Sequence, residues 1–212
     1  MTANTKPGIP FIISAPSGTG KTTICGILKK RLPDLQFAVS HTTRSKRKGE
    51  EEGVDYYFIS KEEFEHKIED TDFLEWAQTH GNYYGTSFST ITEHTQKGQD
   101  LLLELDVQGV ESLRSSNYQG VFILILPPSL AELKRRLEFR GTESPEKISS
   151  RLETGRNEIL QYKLFDYVLT NNVVEDTVNN IISIMNSEKL RSNLYCPQSE
   201  DIQKLLNLKT TA

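Results

Sequence analysis

Residues 11–23 read Phe-Ile-Ile-Ser-Ala-Pro-Ser-Gly-Thr-Gly-Lys-Thr-Thr: an apolar run, a glycine-bearing turn, then Gly-Lys-Thr at the head of a helical pattern. Strand, turn and helix in that order are the context in which a phosphate-binding loop works. Gly18 and Gly20 let successive backbone N–H groups, from Ser17 through Thr19 to Thr23, converge on phosphate oxygens. The helix start adds unpaired amides and the positive end of its dipole. Lys21 then sets a point charge between the β and γ phosphates, and the Thr22 hydroxyl suits Mg²⁺. The general pattern G-x-x-x-x-G-K-[ST] begins with glycine where this chain has Ala15, so either that position needs no left-handed backbone or the match is accidental. The flanking strand and helix favour the loop. Kinases, ATPases and GTPases share this motif, and it does not separate them.

A second stretch with chemistry in it is Ser40-His41-Thr42-Thr43-Arg44-Ser45-Lys46-Arg47-Lys48-Gly49-Glu50. Its basic residues lie beside hydroxyls in a segment without helical or strand period, which describes either a loop that clamps an anion through arginine forks or a solvated charged turn. Glu75, between Leu74 and Trp76, either points to solvent on an alternating strand or enters a pocket that needs a carboxylate. Gly81-Asn82-Tyr83-Tyr84-Gly85-Thr86-Ser87 fits a ligand-edge loop and equally a hairpin with one buried tyrosine. Leu101-Leu102-Leu103-Glu104-Leu105-Asp106 is an interior-strand pattern ending in acids, where a carboxylate can serve Mg²⁺ directly or through water. Two later helical patterns carry Arg136, Arg140 and Arg151, with Gly141-Thr142-Glu143 between them. They read as a lid that brings arginines to phosphate or as ordinary surface helices. Thr170-Asn171-Asn172 closes the last strand, where a base or ribose could touch it.

The elements that must position these groups follow from periodicity. Strands are expected at 11–14, 37–39, 55–60, 73–77, 101–106, 121–126 and 166–169. Helices are expected at 22–32, 62–68, 88–97, 107–113, 130–139, from the cap pair Ser144-Pro145 onward, and 174–185. Gly26 inside the first helix is expected where that helix packs on the sheet. Buried parallel strands alternating with helices in 212 residues predict one α/β domain with a small insertion or two, followed from Ser192 by a loose extension with a short amphipathic helix.

Composition narrows the classes. Apolar residues at 36% and charged residues at 25% describe an ordinary globular chain, and a net charge of -4 argues against a general nucleic-acid binder. Cys25 and Cys196 make neither a disulfide framework nor a zinc site. Residues 1 to 10 lack the apolar core of a secretory signal, and Val121 to Leu126 is far too short to span a bilayer, so a cytoplasmic protein without membrane partners is expected.

From about Pro10 to Leu190 the chain resembles the guanylate kinase family of P-loop nucleoside monophosphate kinases. Ser14 to Thr22, Ser40-His41-Thr42-Thr43-Arg44, Gly49-Glu50, Phe73-Leu74-Glu75-Trp76, Gly81 to Thr86, Asp106-Val107-Gln108-Gly109 and the Arg136/Arg140 pair occur in that family's order and spacing. The resemblance implies an α/β fold with a parallel-sheet core flanked by helices, a small mixed GMP-binding subdomain and a helical lid. By it, residues 1–9 form a flexible N-terminus; 10–39, 91–129 and 156–191 the core; 40–90 the GMP-binding region; 130–155 the lid; and 192–212 the C-terminal extension. It implies transfer of the γ-phosphoryl group of MgATP to GMP, and to dGMP; the sequence does not choose between a monomer and a homodimer. Ser40, Arg44, Arg47, Tyr56 and Tyr84 would hold the monophosphate, and Glu75, Thr86 and Asp106 would face the guanine. Lys21, Arg44, Arg136, Arg140 and Arg151 would neutralise the transferring group, with Thr22 on Mg²⁺ and Glu104 reaching it through water.

Overall fold

The computed structural model describes residues 6–79, 81–139, 145–195, 197 and 199–207. Its centre is a five-stranded parallel sheet of β1 (Pro10–Ser14), β2 (Gln36–Phe37), β7 (Leu101–Glu104), β8 (Val121–Leu126) and β9 (Tyr167–Thr170), in the order β2-β7-β1-β8-β9. Side chains alternate across a strand, and helices bury both faces here, so each strand must be apolar on both sides. Phe11, Ile13, Ile123 and Ile125 meet Ile24 and Leu28 of α1 (Lys21–Arg31) and Val178, Ile181 and Met185 of α7 (Val174–Glu188). Their neighbours Ile12, Phe122 and Leu124, with Leu101 and Leu103, meet Ile91 of α3 (Phe88–Gln96) and Val107, Val110 and Leu113 of α4 (Val107–Ser115) on the other face. Each such side chain contributes about 1.5–3 kcal/mol by leaving water.

Between β2 and α3 the chain forms a second, mixed sheet of β3 (His41–Thr42), β4 (Tyr57–Phe58), β5 (Phe73–Thr79) and β6 (Asn82–Ser87), in the order β4-β3-β6-β5, with α2 (Lys61–Glu69) between β4 and β5 in sequence. Phe64 of α2 stacks on Phe73 at 4.2 Å and on Tyr83 at 5.1 Å, joining helix to sheet. The strand expected over 55–60 is only Tyr57–Phe58, and the stretch read as irregular from Ser40 contains β3; two-residue strands are too short to show a period. The 81–87 segment is the second strand of a hairpin, β6 pairing antiparallel with β5, but Tyr83 and Tyr84 are both half-buried and neither is the buried tyrosine of the hairpin reading.

Two helices, α5 (Leu130–Phe139) and α6 (Pro145–Leu160), pack together after β8. Ser129 starts α5, its hydroxyl accepting from the Glu132 amide at 3.1 Å. The cap expected at Ser144 and the tip at 141–143 lie outside the described residues, as does Cys196. A short amphipathic helix, α8 (Glu200–Asn207), ends the described chain. Gly26 departs from expectation: it is exposed, and a methyl group added there would meet nothing within 4 Å, so α1 turns it away from the sheet.

Candidate functional site

In a parallel sheet the strands end on one edge, and the topology puts the phosphate loop after the central strand β1 and Asp106 after its neighbour β7. The loop closes on itself through the Thr19 amide and Pro16 carbonyl, 3.0 Å apart. Gly18 and Gly20 have φ of 93° and 105°, which a side chain would strain. Ala15 is absent from the positive-φ residues and packs against the core, so the loop keeps its shape without the first glycine. Lys21 opens α1 and reaches the Leu105 carbonyl at 3.4 Å. A cavity of about 300 Å³ is lined by Ser17, Gly18, Gly20, Lys21, Thr22 and Thr23, with Asp106 and Glu158 across from them.

The arginines expected at this cavity touch the loop itself. Arg151 donates to the Ser17 hydroxyl at 3.4 Å. Arg136 donates from Nη1 to the Thr19 carbonyl at 3.0 Å, while its Nε holds Glu132 at 2.8 Å. Arg140 lies outside the described residues. Asn171, expected at a base or ribose, is instead 1% exposed with its amide nitrogen on the same Thr19 carbonyl at 2.8 Å.

A second cavity, about 200 Å³, is lined by Ser40, Tyr56 and Thr86 together with Leu103, Glu104 and Leu105, so the end of β7 gives Glu104 and Leu105 to this cavity and the next residue, Asp106, to the phosphate-loop cavity. Thr86 Oγ1 lies 3.2 Å from Ser40 Oγ and 2.9 Å from Glu75 Oε1, a polar chain across the small sheet. Glu75 reaches that chain because of a β-bulge. Phe73 pairs with Ser87 and Glu75 with Thr86, leaving Leu74 as the extra residue, so the strand turns Leu74 into the core and Glu75 onto Thr86. Burial raises the Glu75 pKa, the Thr86 hydrogen bond offsets part of that, and the charge of Asp106 adds to it.

Arg44 sits over the rings of Tyr56 and Phe58 at 5.5 and 5.6 Å, and Tyr56 meets Tyr84 edge-on at 5.9 Å. Both ends of its fork are held by Glu50. The fold thus brings Ser40, Arg44, Tyr56, Glu75, Tyr84 and Thr86 into one connected cluster. Arg47 enters through its backbone, its amide donating to Glu50 Oε2 at 2.7 Å and its carbonyl accepting from the Glu50 amide at 3.2 Å, its side chain being exposed.

The carboxylates divide between the cavities. Glu104 is exposed and lines the one beside Ser40 and Thr86, with Cys25 near enough that the carboxylate, after burial, raises the thiol's pKa. Asp106 lines the phosphate-loop cavity, and its Oδ1 caps α4 through the Gly109 amide at 2.8 Å. Burial and then Asp106 raise the pKa of Glu158, while Lys21 lowers it. On the phosphate-loop cavity the Thr22 hydroxyl, Asp106 and Glu158 are hard oxygen donors of the kind Mg²⁺ takes; among the described residues no three His, Cys, Asp or Glu side chains cluster as a metal site of their own. Neither residue type nor spacing marks Glu158 or Thr177 for this site, and Glu50 stands out only as part of the Gly49-Glu50 motif.

A parallel sheet with a phosphate loop after its central strand, joined to a small sheet that carries a held arginine and a half-buried carboxylate, defines a P-loop nucleotide-binding protein. Residues 8–188 match the family model described as guanylate kinase. A protein of Clostridium tetani named guanylate kinase is 46% identical over 184 residues, 87% of this chain and 88% of that one. One of Oceanobacillus iheyensis, named likewise, is 45% identical over 195 residues, 92% and 95% of the two chains. The crystal structure of guanylate kinase from Anaplasma phagocytophilum superposes with a TM-score of 0.65 at 32% identity, covering 88% of this chain and 89% of that one. The chain belongs to the guanylate kinase family, and so to the nucleotide-binding phosphotransferases.

Proposed function

We propose that this chain transfers the γ-phosphoryl group of MgATP to GMP, and to dGMP, giving ADP and GDP. The observation that carries the acceptor assignment is Glu75 drawn onto Thr86 by the bulge at Leu74. Guanine presents N1–H and an exocyclic N2–H side by side, a donor pair that one carboxylate accepts; adenine presents an acceptor at N1 and no N2 amine. An unmatched buried polar group costs about 1–3 kcal/mol, so two mismatches with Asp106 nearby give discrimination of about a thousandfold.

The acceptor phosphate would lie by Arg44, Tyr56, Tyr84 and Ser40, and the donor along the loop amides and Lys21. A phosphate oxygen is already a competent nucleophile, so in-line attack on the γ phosphorus needs no general base. The protein's work is positioning and neutralisation: Lys21, Arg44, Arg136, Arg140 and Arg151 balance charge on the equatorial oxygens. Mg²⁺ would arrive with ATP, held by Thr22, and supplies further charge neutralisation when bound. Arg136 and Arg151 touch loop atoms, a starting position from which small movements reach phosphate. Closure of the lid also excludes water, which would otherwise accept the phosphoryl group.

The test is ADP production from MgATP with GMP, dGMP, AMP, CMP or UMP. GMP gives the highest kcat/KM if the reading holds. A better acceptor elsewhere in the panel, or ADP release that ignores acceptor, overturns it.

A further inference from the structure

The Thr19 carbonyl, in the middle of the phosphate loop, accepts two hydrogen bonds: from Asn171 Nδ2 at 2.8 Å and from Arg136 Nη1 at 3.0 Å. A carbonyl oxygen has two lone pairs, so this one is fully used. The surroundings exclude water, with Thr19 0%, Asn171 1% and Thr177 2% exposed. Only the amide nitrogen of Asn171 can donate to a carbonyl, which turns its Oδ1 toward the Thr177 hydroxyl, 3.1 Å away, whose one proton is shared with the Val173 carbonyl, also at 3.1 Å. The Asn171 backbone amide donates to the Leu126 carbonyl at 2.8 Å, anchoring the residue to the end of β8. Its side chain also lies against Gly20, where a methyl group would come within 2.9 Å of Nδ2.

We propose that Asn171, oriented by Thr177, is a positioning residue that fixes the phosphate loop through the Thr19 carbonyl and keeps it fixed when Arg136 leaves that carbonyl for phosphate. This rests on the function proposed above only for the departure of Arg136. With one lone pair held by Asn171, the Thr19 carbonyl keeps a donor when the arginine swings away and gives up its longer 3.5 Å contact with the Asn171 carbonyl, so the loop amides stay aimed at the donor while the lid moves. An aspartate at 171 would fail twice: it has no hydrogen to donate to Thr19, and it would set a negative charge beside the phosphates.

The experiment measures binding of a non-hydrolysable ATP analogue with Mg²⁺, and separately of GMP, by calorimetry. It compares the wild-type protein with Asn171→Asp, Thr177→Val and Thr177→Ser, alongside thermal unfolding. The analogue binds about tenfold more weakly to Asn171→Asp and about threefold more weakly to Thr177→Val; Thr177→Ser restores wild-type affinity, and GMP binding stays within about twofold throughout. In an Arg136→Ala background the Thr177→Val loss is at least as large, because Asn171 then holds the carbonyl alone. Analogue binding within about twofold of wild type in Thr177→Val overturns the proposal, as do equal losses for both ligands with a lower unfolding temperature. A smaller Thr177→Val loss in the Arg136→Ala background overturns the shared-carbonyl part. The acceptor panel bears on none of these outcomes, so failure of the GMP assignment is seen separately.

Discussion

Arg44 and Glu50 meet fork to fork: Nη1 donates to Oε2 at 3.0 Å and Nη2 to Oε1 at 2.8 Å, while the Arg47 amide donates to Oε2 at 2.7 Å. The arginine's pKa rises and the glutamate's falls, each first through this side-chain hydrogen bonding. A basic loop that would otherwise repel itself is closed by its own acid, and the guanidinium is held over the Tyr56 ring.

Removing that acid should loosen the acceptor site without touching the donor site. Glu50→Ala is expected to raise the KM for GMP about tenfold and leave the KM for MgATP within about twofold. Equal change in both constants would show that Glu50 supports the fold as a whole.

Glu75→Gln keeps the side chain's shape and replaces one acceptor oxygen with a donor. The ratio of kcat/KM for GMP over AMP should fall about a hundredfold, mainly through loss with GMP. Steady-state assays with both acceptors decide it, and an unchanged ratio would remove Glu75 from the guanine edge.

The same residue carries a stability cost that depends on pH. Burial raises its folded-state pKa above the ordinary glutamate range. The folded protein therefore favours the protonated form: that contribution is complete below the unfolded-state pKa and is lost as pH rises through the raised folded value. In the absence of nucleotide, Glu75→Gln should melt higher than wild type at pH 7, and the gap should close toward pH 4. Melting curves across that range test it; a gap that widens on acidification would contradict the burial argument.

Lys21→Ala removes the one side-chain cation at the head of α1. Turnover should fall about a thousandfold while the melting temperature changes little, since the lysine's only described hydrogen bond is the long one to Leu105. Circular dichroism melts and single-turnover assays together separate lost chemistry from lost folding.

Gly26→Ala fills open space on the exposed side of α1, at a position whose φ is not positive. Helix propensity then acts alone and should stabilise the protein by about 0.5–1 kcal/mol. Denaturant unfolding reads this directly, and destabilisation would mean that the exposed face of α1 is packed against something in solution.

The parallel core was legible in the sequence because its information is local: continuous apolar strands, helical periods between them, and a phosphate loop whose residues are neighbours in the chain. The resemblance added the residues of the acceptor cluster as a set. What the sequence left open was settled by contacts between distant positions. Glu75 had two readings because alternation assumes an unbroken ladder, and the bulge at Leu74 breaks it. Ala15 stood as a departure from the motif until the backbone showed that its position needs no left-handed turn. Gly26 was expected against the sheet, but spacing along a helix does not say which way a residue without a side chain faces.

Asn171 shows the same limit most sharply. Residue type and place at a strand end suggested a contact with a base or ribose, while the fold carries its side chain to a loop carbonyl 152 positions earlier. By itself the chain determined which groups can hold phosphate, because backbone freedom at glycine and charge at lysine are properties of the residues. Tertiary structure decided which carboxylate meets which hydroxyl and which amide secures the loop, because a hydrogen bond depends on distances that only packing sets.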